Sequence, residues 1–316
     1  MTHPDYQIVQ LASLGTAFDE ALADKYRVLA LWNDACATEK LAAATDASLV
    51  ITSVRKGLSR ESIGHLPALR AVCSWGVGYE TLDTEAMAER GIVVSNTPEI
   101  LDDCVADLAW ALLLTAARRT NIGDRYVKTG QWKTIGAFPL STRVWGKRLG
   151  IVGLGRIGLA IAQRGTGFNM QVRYHNRRER PDSPFTFEPS LLKLAEWADF
   201  LVLACPGGPR THHIVDAAVI RALGAKGILV NIARGTVVDE QALVAALENG
   251  EVGGAGLDVL EREPAVPEPF LHMDQVALMP HVGSATHETR HDMSRLVFDN
   301  AVSFLESGRL LTPIKE

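Results

Sequence analysis

Three charged residues in the second half of the chain could together carry out the reduction of a 2-keto acid. Such a reaction needs a cation to hold the substrate carboxylate, an acid to protonate the carbonyl oxygen, and a carboxylate to keep that acid charged. The guanidinium of Arg234 is always charged, and its fork fits a carboxylate. The imidazole of His281 suits an acid that works near neutral pH. The carboxylate of Glu263 would favour the charged imidazolium. We therefore predict these three residues as the catalytic set.

The positions of these residues support the prediction. They lie in segments 231–235, 256–264 and 280–286, and each segment contains or follows a short apolar run that is typical of a strand. Open α/β sheets bind their ligands at the carboxyl ends of parallel strands. A single Arg, His or Glu is more often structural, in a surface ion pair or a capped loop. The order of all three at successive strand ends favours catalysis.

A glycine-rich stretch from Gly153 to Gly158 has the spacing of a dinucleotide-binding turn. It directly follows the apolar run Arg148–Val152 and opens a helical pattern. Gly153 permits the tight turn, Gly155 lets the main chain approach a pyrophosphate, and Gly158 allows the helix to pack closely on the strand. The amides at the start of that helix would face the phosphate charge. A turn without a ligand is the alternative, and it is disfavoured by the position between strand and helix.

The next strand should deliver the group that meets the adenosine ribose, which in NAD-binding proteins is an Asp or Glu. Here the chain reads His175-Asn176-Arg177-Arg178 and offers no carboxylate. Two guanidinium groups can instead pair with a 2′-phosphate. We therefore predict NADP rather than NAD, with NADPH preferred over NADH, against the alternative of a merely solvated basic turn.

Two series of short apolar runs alternate with helical patterns, which is the rhythm of βαβ units. The first series predicts strands at Ile8–Leu11, Val28–Leu31, Leu49–Thr52, Ala71–Ser74 and Ile92–Val94. The second predicts strands at Arg148–Val152, Gln171–Tyr174, Phe200–Ala204, Ile228–Ile232, Ala255–Asp258 and Val276–Met279. We therefore predict an α/β fold with two doubly wound parallel sheets. The length of 316 residues also favours two domains, because single cores usually stop growing near ~250–300 residues.

Helical patterns occupy the segments between these runs, for example Ser59–Leu66 and Asp83–Arg90. A longer one, Asp102–Arg119, begins with aspartates and ends with arginines, the charge order that suits a helix dipole. So many of its residues are apolar that it should be covered on most sides, between domains or subunits or else in an ordinary core. The segment His287–Ser307 reads as one amphipathic helix.

Composition narrows the class of protein. The chain is 47% hydrophobic and 22% charged, which is ordinary for a globular protein, and its net charge of −5 provides no basic field for nucleic acid or anionic lipid. No stretch approaches the ~18 apolar residues of a membrane span, so we expect a cytoplasmic protein with no nucleic-acid or membrane partner. The scattered cysteines are expected to be reduced and mostly buried rather than metal-binding. They are Cys36, Cys73, Cys104 and Cys205.

Over essentially its whole length the sequence resembles the D-isomer-specific 2-hydroxyacid dehydrogenase family. The resemblance is carried by the glycine turn at 153–158, Asn-x-Ala-Arg-Gly at 231–235, Leu-Asp-Val…Glu-Pro at 257–264 and Pro-His at 280–281. It implies the same catalytic set, with Asp258 near the nicotinamide carboxamide. It also implies that the main-chain amides of Val77 and Gly78 hold the substrate carboxylate together with Arg234 and His281.

The resemblance also implies a domain plan and a cofactor site. Residues 1–99 and 284–316 would form a flavodoxin-like substrate domain, into which a Rossmann-like dinucleotide-binding domain, residues 100–283, is inserted, and the protein would be a homodimer. The residues expected to bind the cofactor are Gly153, Gly155, Arg156, Ile157, Gly158, Asn176, Arg177, Arg178, Cys205, Pro206, Thr211, Ile232, Ala233, Asp258 and Gly283. One loop departs from the family, which usually continues with Leu and Thr after Cys205-Pro206, whereas this chain has Gly207-Gly208.

Within the family, segments 96–109 and 281–287 look most like the glyoxylate/hydroxypyruvate reductases and the plant hydroxyphenylpyruvate reductases. These relatives prefer NADPH, which agrees with the interpretation of Arg177 and Arg178. The expected substrate is glyoxylate or hydroxypyruvate, and an aromatic pyruvate or 2-ketogluconate is the alternative. A different class of function is an NAD(P)H-sensing co-repressor or binding protein.

The preference for a substrate side chain would depend on the pocket around four residues, Ser53, Val54, Trp75 and Tyr79. Aromatic residues of a second subunit could also contribute. Phe138 and Trp145 are the candidates for such a contribution, although local core packing is the more ordinary expectation for both.

Overall fold

The computed structural model describes residues 7–35 and 37–314, and the chain divides into two compact units. The first unit comprises Met1–Leu101 and Thr286–Glu316, and the second comprises Asp102–Ala285. Each contains one parallel sheet with helices between its strands. The predicted fold class is therefore confirmed.

The described part of the chain forms twelve strands and eleven α-helices. The strands are β1 (Ile8–Gln10), β2 (Val28–Ala30), β3 (Leu49–Ser53), β4 (Ala71–Trp75), β5 (Val93–Ser95), β6 (Arg148–Val152), β7 (Gln171–His175), β8 (Thr186–Phe187), β9 (Phe200–Leu203), β10 (Ile228–Asn231), β11 (Gly254–Leu257) and β12 (Val276–Leu278). The helices are α1 (Thr16–Lys25), α2 (Ala37–Ala43), α3 (Arg60–Gly64), α4 (Thr84–Glu89), α5 (Asp102–Arg118), α6 (Thr120–Lys128), α7 (Arg156–Gly167), α8 (Leu191–Trp197), α9 (Ala217–Leu223), α10 (Glu240–Glu248) and α11 (His287–Ser307).

The sheet of the first unit has the strand order β2-β1-β3-β4-β5 among the described residues. All five residues of β3 are buried, as expected for a parallel strand that is covered on both faces. The C-terminal helix α11 packs against one face of this sheet through Val297, Ala301 and Phe304. The last helix of the chain thus completes the core of the first unit.

The sheet of the second unit has the order β12-β11-β10-β9-β6-β7-β8 in the described residues. The chain starts this sheet at β6, adds β7 and β8 on one side, and then crosses to the other side for β9. The point between β6 and β9 is therefore the topological switch point, where open α/β sheets leave a crevice for ligands. The predicted glycine turn directly follows β6.

Helix α5 confirms the predicted long apolar helix, and its buried residues pack within the second unit against α7 and strands β10, β11 and β12. Gly256 lies so close beneath it that an added Cβ would be 2.9 Å from Cβ of Leu112. At least this face of the helix belongs to the ordinary core of its unit.

Several helices begin at a side chain that accepts a hydrogen bond from a main-chain amide in the first turn, which is the usual stabilisation of a helix start. These residues are Ser59, Asp83, Ser190, Asp216, Asp239 and Thr286. These caps define the residue at which each of these helices begins.

The predicted strands agree with the structure to within one residue at each end, and the helix His287–Ser307 has the predicted bounds. Two elements were not predicted, β8 and α6. Strand β8 has only two residues, and α6 is amphipathic in sequence but buries none of its side chains.

The cysteine prediction is met in part. Cys73, Cys104 and Cys205 are reduced thiols, and Cys73 is fully buried whereas the other two are partly exposed. Cys36 lies outside the described residues. Across residues 7–35 and 37–314, no helix combines the length and the apolar character needed to cross a membrane.

Candidate active site

The loops that carry the predicted catalytic residues all lie at one edge of the second unit's sheet. Strands β9, β10, β11 and β12 are parallel neighbours, so their carboxyl ends meet at the same edge as that of β6. Arg234 follows β10, Glu263 follows β11, and His281 follows β12. These five loops and the loop that follows β7 form the candidate site.

His281 and Glu263 form a direct pair. Nδ1 of His281 lies 2.7 Å from Oε2 of Glu263. The other carboxylate oxygen, Oε1, accepts a hydrogen bond of 3.2 Å from the amide of Leu260, which orients the carboxylate. The side chains are 25% and 33% exposed, respectively, so a small molecule can reach the imidazole. The pair has the geometry that a carboxylate-supported acid requires.

The main chain at His281 adopts a left-handed conformation, with φ of 56°. Such a conformation is uncommon outside glycine and is found preferentially at functional sites. Asp258 holds the turn, because its two carboxylate oxygens accept hydrogen bonds from the amides of Val282 (2.7 Å) and Gly283 (2.9 Å). Burial raises the pKa of the Asp258 carboxyl, and the two amide hydrogen bonds partly oppose this effect. Asp258 is thus a structural support of the turn that presents His281.

Asn231 supports Arg234 in a comparable way. Its Oδ1 accepts from the amide of Ala233, and its Nδ2 donates to the carbonyl oxygen of Arg234, both at 3.0 Å. The guanidinium of Arg234 donates from Nη1 to the carbonyl oxygen of Ala233 at 2.7 Å. Its stem crosses Gly207, where an added Cβ would lie 2.7 Å from Cγ of Arg234. In this chain, the stem of the predicted catalytic arginine therefore occupies the space that a Cβ at Gly207 would fill.

Main-chain contacts join the three loops. The amide of Asp258 donates to the carbonyl oxygen of Asn231 at 3.0 Å, and the amide of His281 donates to that of Asp258 at 2.8 Å. Gly235 packs against the segment that leads to Glu263, since an added Cβ would lie 2.0 Å from the carbonyl carbon of Leu260. The loops of all three predicted catalytic residues therefore lie side by side.

The glycine turn has the shape that a pyrophosphate needs. Gly153 has φ of 95°, and an added Cβ would lie 2.6 Å from the main chain of Cys205. At Gly158 an added Cβ would lie 2.1 Å from the carbonyl oxygen of Gly153, so only glycine allows α7 to approach β6 this closely. A Cβ at Gly155 would meet no described atom within 4 Å. Gly153 and Gly158 thus allow close packing of the main chain, whereas Gly155 faces open space, as binding of a dinucleotide requires.

The two residues between these glycines lie at the start of α7. Arg156 is exposed and forms an ion pair of 3.1 Å with Asp102 of α5, whereas Ile157 is half-buried. The N-cap residue is Gly155, which has no side chain that could accept a hydrogen bond from the first amides of the helix. These amides are therefore left to other acceptors. A helix start of this kind suits a phosphate.

Asn176 holds the glycine turn directly, because its Oδ1 accepts a 2.7 Å hydrogen bond from the amide of Leu154. Arg180 holds the same residue from the other side, with Nη1 donating to the carbonyl oxygen of Leu154 at 3.0 Å. Asp182 fixes Arg180 by a two-pronged contact of 2.8 and 3.3 Å. Arg180 was missed by the sequence reasoning, and only its closeness to the basic segment could have pointed to it.

Arg177 and Arg178, which were predicted to bind the 2′-phosphate, follow β7 and are both exposed. Neither forms an ion pair with another residue in the part of the chain that the structure describes. Among the described residues, no carboxylate thus engages their charges. An anionic phosphate could bind to them without displacing a partner.

The remaining predicted cofactor residues line the same edge. Thr211 closes the loop after β9, with its hydroxyl donating to the carbonyl oxygen of Pro206 at 2.7 Å. Cys205 begins this loop, and burial raises the pKa of its thiol to about 11. Ile232 and Ala233, which follow β10, are both buried. These positions fit a lining role.

Val77 and Gly78 belong to the first unit and follow β4. Thr97 holds the turn before them, because its hydroxyl accepts from the amide of Gly76 at 3.1 Å. Asn96 donates from Nδ2 to the carbonyl oxygen of Val77 at 2.8 Å. Sequence reasoning quoted Asn96 and Thr97 only as part of a motif and did not recognise that they position this turn.

The two aromatic residues proposed to reach another subunit differ in their surroundings. Phe138 packs against Tyr126 at a ring-centroid distance of 5.4 Å, which agrees with local packing. Trp145 is 56% exposed. The expectation of local core packing for Trp145 is therefore wrong, because its indole remains accessible.

Comparisons with known proteins agree with this geometry. The family model described as D-isomer specific 2-hydroxyacid dehydrogenase, NAD binding domain, matches residues 110–283. Hydroxyphenylpyruvate reductase of Plectranthus scutellarioides is 42% identical over 97% of this chain and 98% of its own length. Glyoxylate/hydroxypyruvate reductase A of Arabidopsis thaliana is 41% identical over the same shares, 97% and 98%.

A solved structure is also similar throughout. It is the NADPH-dependent glyoxylate/hydroxypyruvate reductase of Sinorhizobium meliloti in complex with NADP and malonate, with a TM-score of 0.90 and 40% identity over 99% of this chain and 97% of that one. These matches agree with the resemblance in the catalytic and glycine motifs. The chain belongs to the D-isomer specific 2-hydroxyacid dehydrogenase family.

Proposed function

We propose that this protein is an NADPH-dependent reductase that converts a small 2-keto acid, glyoxylate or hydroxypyruvate, to the D-2-hydroxy acid. The observation that carries the proposal is the 2.7 Å contact between Nδ1 of His281 and Oε2 of Glu263 at the sheet edge that also bears Arg234 and the glycine turn. The reductases of Arabidopsis and Sinorhizobium, at about 40% identity over nearly the whole chain, support the substrate class.

In this proposal Arg234 anchors the substrate carboxylate and thereby aligns the carbonyl group. His281 donates a proton to the carbonyl oxygen from Nε2, the nitrogen opposite the one that contacts Glu263. Glu263 stabilises the protonated ring before the transfer. Bound NADPH supplies the hydride that C2 receives. On the resemblance, we also assign the amides of Val77 and Gly78 to the substrate carboxylate.

We assign the binding of the cofactor to the second unit and the role of the substrate domain to the first unit. The amides at the start of α7 would hold the pyrophosphate, and Arg177 and Arg178 the 2′-phosphate. The NADP bound in the Sinorhizobium enzyme supports the choice of cofactor. The other proposed lining residues are Cys205, Pro206, Thr211, Ile232, Ala233, Asp258 and Gly283.

A kinetic panel tests the proposal. It crosses NADH and NADPH with glyoxylate, hydroxypyruvate, phenylpyruvate and 2-ketogluconate, and follows the oxidation of the nicotinamide. We expect the highest kcat/KM with NADPH and one of the two small acids. A maximum with phenylpyruvate or 2-ketogluconate would replace the substrate assignment. Binding of NADPH without turnover of any acid would favour a sensing protein instead.

We also propose a homodimer that is formed through residues 127–147, which comprise the end of α6 and the segment between α6 and β6. In this segment, several apolar side chains each expose more than half of their surface to solvent. Such exposure is unusual unless another protein covers these side chains. They are Val127, Trp132, Ile135, Leu140 and Trp145. The substitution Leu140→Asp should shift the mass measured by light scattering toward the monomer. The matched change Leu192→Asp, at an exposed leucine on α8, should not. The cytoplasmic location stays a prediction.

A further inference from the structure

Outside the catalytic pair, residues 7–35 and 37–314 contain one group of three side chains with metal-ligating atoms close together. It consists of His212, His213 and Glu261, and one ligand atom of each lies within 4.8 Å of the others. We infer that these three residues form a binding site for one divalent transition-metal ion. The site is distinct from the proposed reductase chemistry, which uses His281 and Glu263.

The main chain brings the two neighbouring histidines to the same side. In an extended strand, consecutive side chains point in opposite directions, but His213 has a left-handed conformation with φ of 50°. The two rings are stacked, with centroids 3.9 Å apart and an interplanar angle of 29°. The amide of His213 donates to the carbonyl oxygen of Thr236 at 2.8 Å, which fixes this turn. The conformation of the main chain therefore places the two imidazoles side by side.

Glu261 approaches from the segment after β11. Its Oε1 lies 3.1 Å from Nε2 of His213, and its amide donates to a carboxylate oxygen of Glu240 at 3.0 Å. Two ligand atoms that each lie ~2.1 Å from one tetrahedral ion are about 3.4 Å apart. The distance of 3.1 Å between Nε2 of His213 and Oε1 of Glu261 thus has to increase only slightly for an ion to replace the proton of this hydrogen bond. The Glu240 carboxylate adds further negative charge beside the site.

The donor set selects a class of ion. Two imidazole nitrogens and one carboxylate oxygen suit zinc, cobalt, nickel or copper, whereas calcium and magnesium prefer oxygen ligands alone. The side chains of His213 and Glu261 are 32% and 25% exposed, and His212 is exposed, so an ion can enter from solvent. Three protein ligands leave further positions to water.

An ion at this site would join two segments of the second unit. His212 and His213 directly follow Thr211, the end of the proposed cofactor loop, and Glu261 lies two residues before Glu263. Because the ion binds only the folded arrangement, it should stabilise the native state. Metal binding is thus expected to raise the melting temperature independently of turnover.

The test is a calorimetric titration of tag-free, metal-free protein with zinc chloride, with the bound metal measured after gel filtration. We expect one ion per chain and a higher melting temperature. His212→Ala and Glu261→Gln should each weaken the affinity at least ~10-fold, since even the loss of a residue that only supports a ligand costs 10–100-fold. His212 is exposed, so its replacement leaves the fold intact, and circular dichroism without metal checks this.

Two controls separate this site from other histidines. His272 forms a similar pair with Glu268 at 3.0 Å but has no second histidine, so His272→Ala should bind zinc as the wild type does. The variant His281→Ala should also retain the affinity. The proposal is overturned by the absence of saturable one-to-one binding, or by binding that is unchanged in both His212→Ala and Glu261→Gln. None of these outcomes depends on reductase activity, so failure of one proposal leaves the other intact.

Discussion

The amide of His281 donates a hydrogen bond of 2.8 Å to the carbonyl oxygen of Asp258. Asp258 therefore supports the 281–283 turn through its main chain and, as described above, through both carboxylate oxygens. Since Asp258 is only 3% exposed, water cannot easily replace it. The orientation of the proposed acid rests on a buried residue that need not touch the substrate.

Replacement of Asp258 by Ala should lower both stability and rate. Each buried amide left without an acceptor costs ~1–3 kcal/mol, so urea unfolding should show a clear loss, and kcat should fall because the turn at His281 loosens. Asp258→Asn retains one acceptor and should be intermediate in both measurements. Unchanged unfolding and kcat in Asp258→Ala would refute the supporting role.

Replacement of His281 by Ala should lower kcat by about 10²–10⁴, the usual contribution of a general acid. NADPH binding, followed by fluorescence titration, should change little. Glu263→Gln should cause a smaller loss, because the amide can still contact the ring but carries no charge. The matched control is His272→Ala, which removes another histidine paired with a glutamate and should leave kcat unchanged. A near-normal kcat for His281→Ala would exclude it as the acid.

The double change Arg177→Ser and Arg178→Ser should raise KM for NADPH at least ~10-fold and leave KM for NADH nearly unchanged. A hydrogen bond to a charged group contributes ~1.5–3 kcal/mol, and ~1.4 kcal/mol corresponds to tenfold. Asn176→Ala should instead weaken both cofactors alike, since its side chain holds Leu154 of the glycine turn. Equal losses for NADPH and NADH in the arginine variant would contradict the 2′-phosphate assignment.

The substitution Gly207→Ala should raise KM for the keto acid and lower kcat/KM. Its Cβ would lie 2.7 Å from Cγ of Arg234, so the stem of the arginine would have to move. The control is Gly64→Ala, because a Cβ there meets no described atom within 4 Å. Steady-state kinetics on both variants check this, and wild-type values for Gly207→Ala would show that the arginine adapts without cost.

Cys205 should resist alkylation in the folded protein. Burial raises the pKa of its thiol from about 9 to about 11, which makes the reactive thiolate ~100-fold scarcer near neutral pH. Mass spectrometry after brief treatment with iodoacetamide at pH near 8 should find Cys205 unmodified, but modified once the protein is unfolded. Rapid labelling of the native protein would show that the loop after β9 opens readily.

Local patterns in the sequence determined much of the fold and part of the site. The strands at Arg148–Val152 and Val276–Leu278 could be predicted because a buried strand and its ending turn depend on a few consecutive residues. The glycine spacing at 153–158 predicted a cofactor turn for the same reason. Helix α6 was missed although its sequence is amphipathic, and in the structure it buries no side chain.

Only the tertiary structure decided which side chains meet. The contact of His281 with Glu263, the hold of Asn176 on Leu154, and the joining of His213 with Glu261 span 18, 22 and 48 residues of chain. Such contacts arise from the order of strands in the sheet and the packing of its loops, which local propensity does not encode. For this reason Asn176, assigned from the sequence to the cofactor, also braces the turn that would receive it.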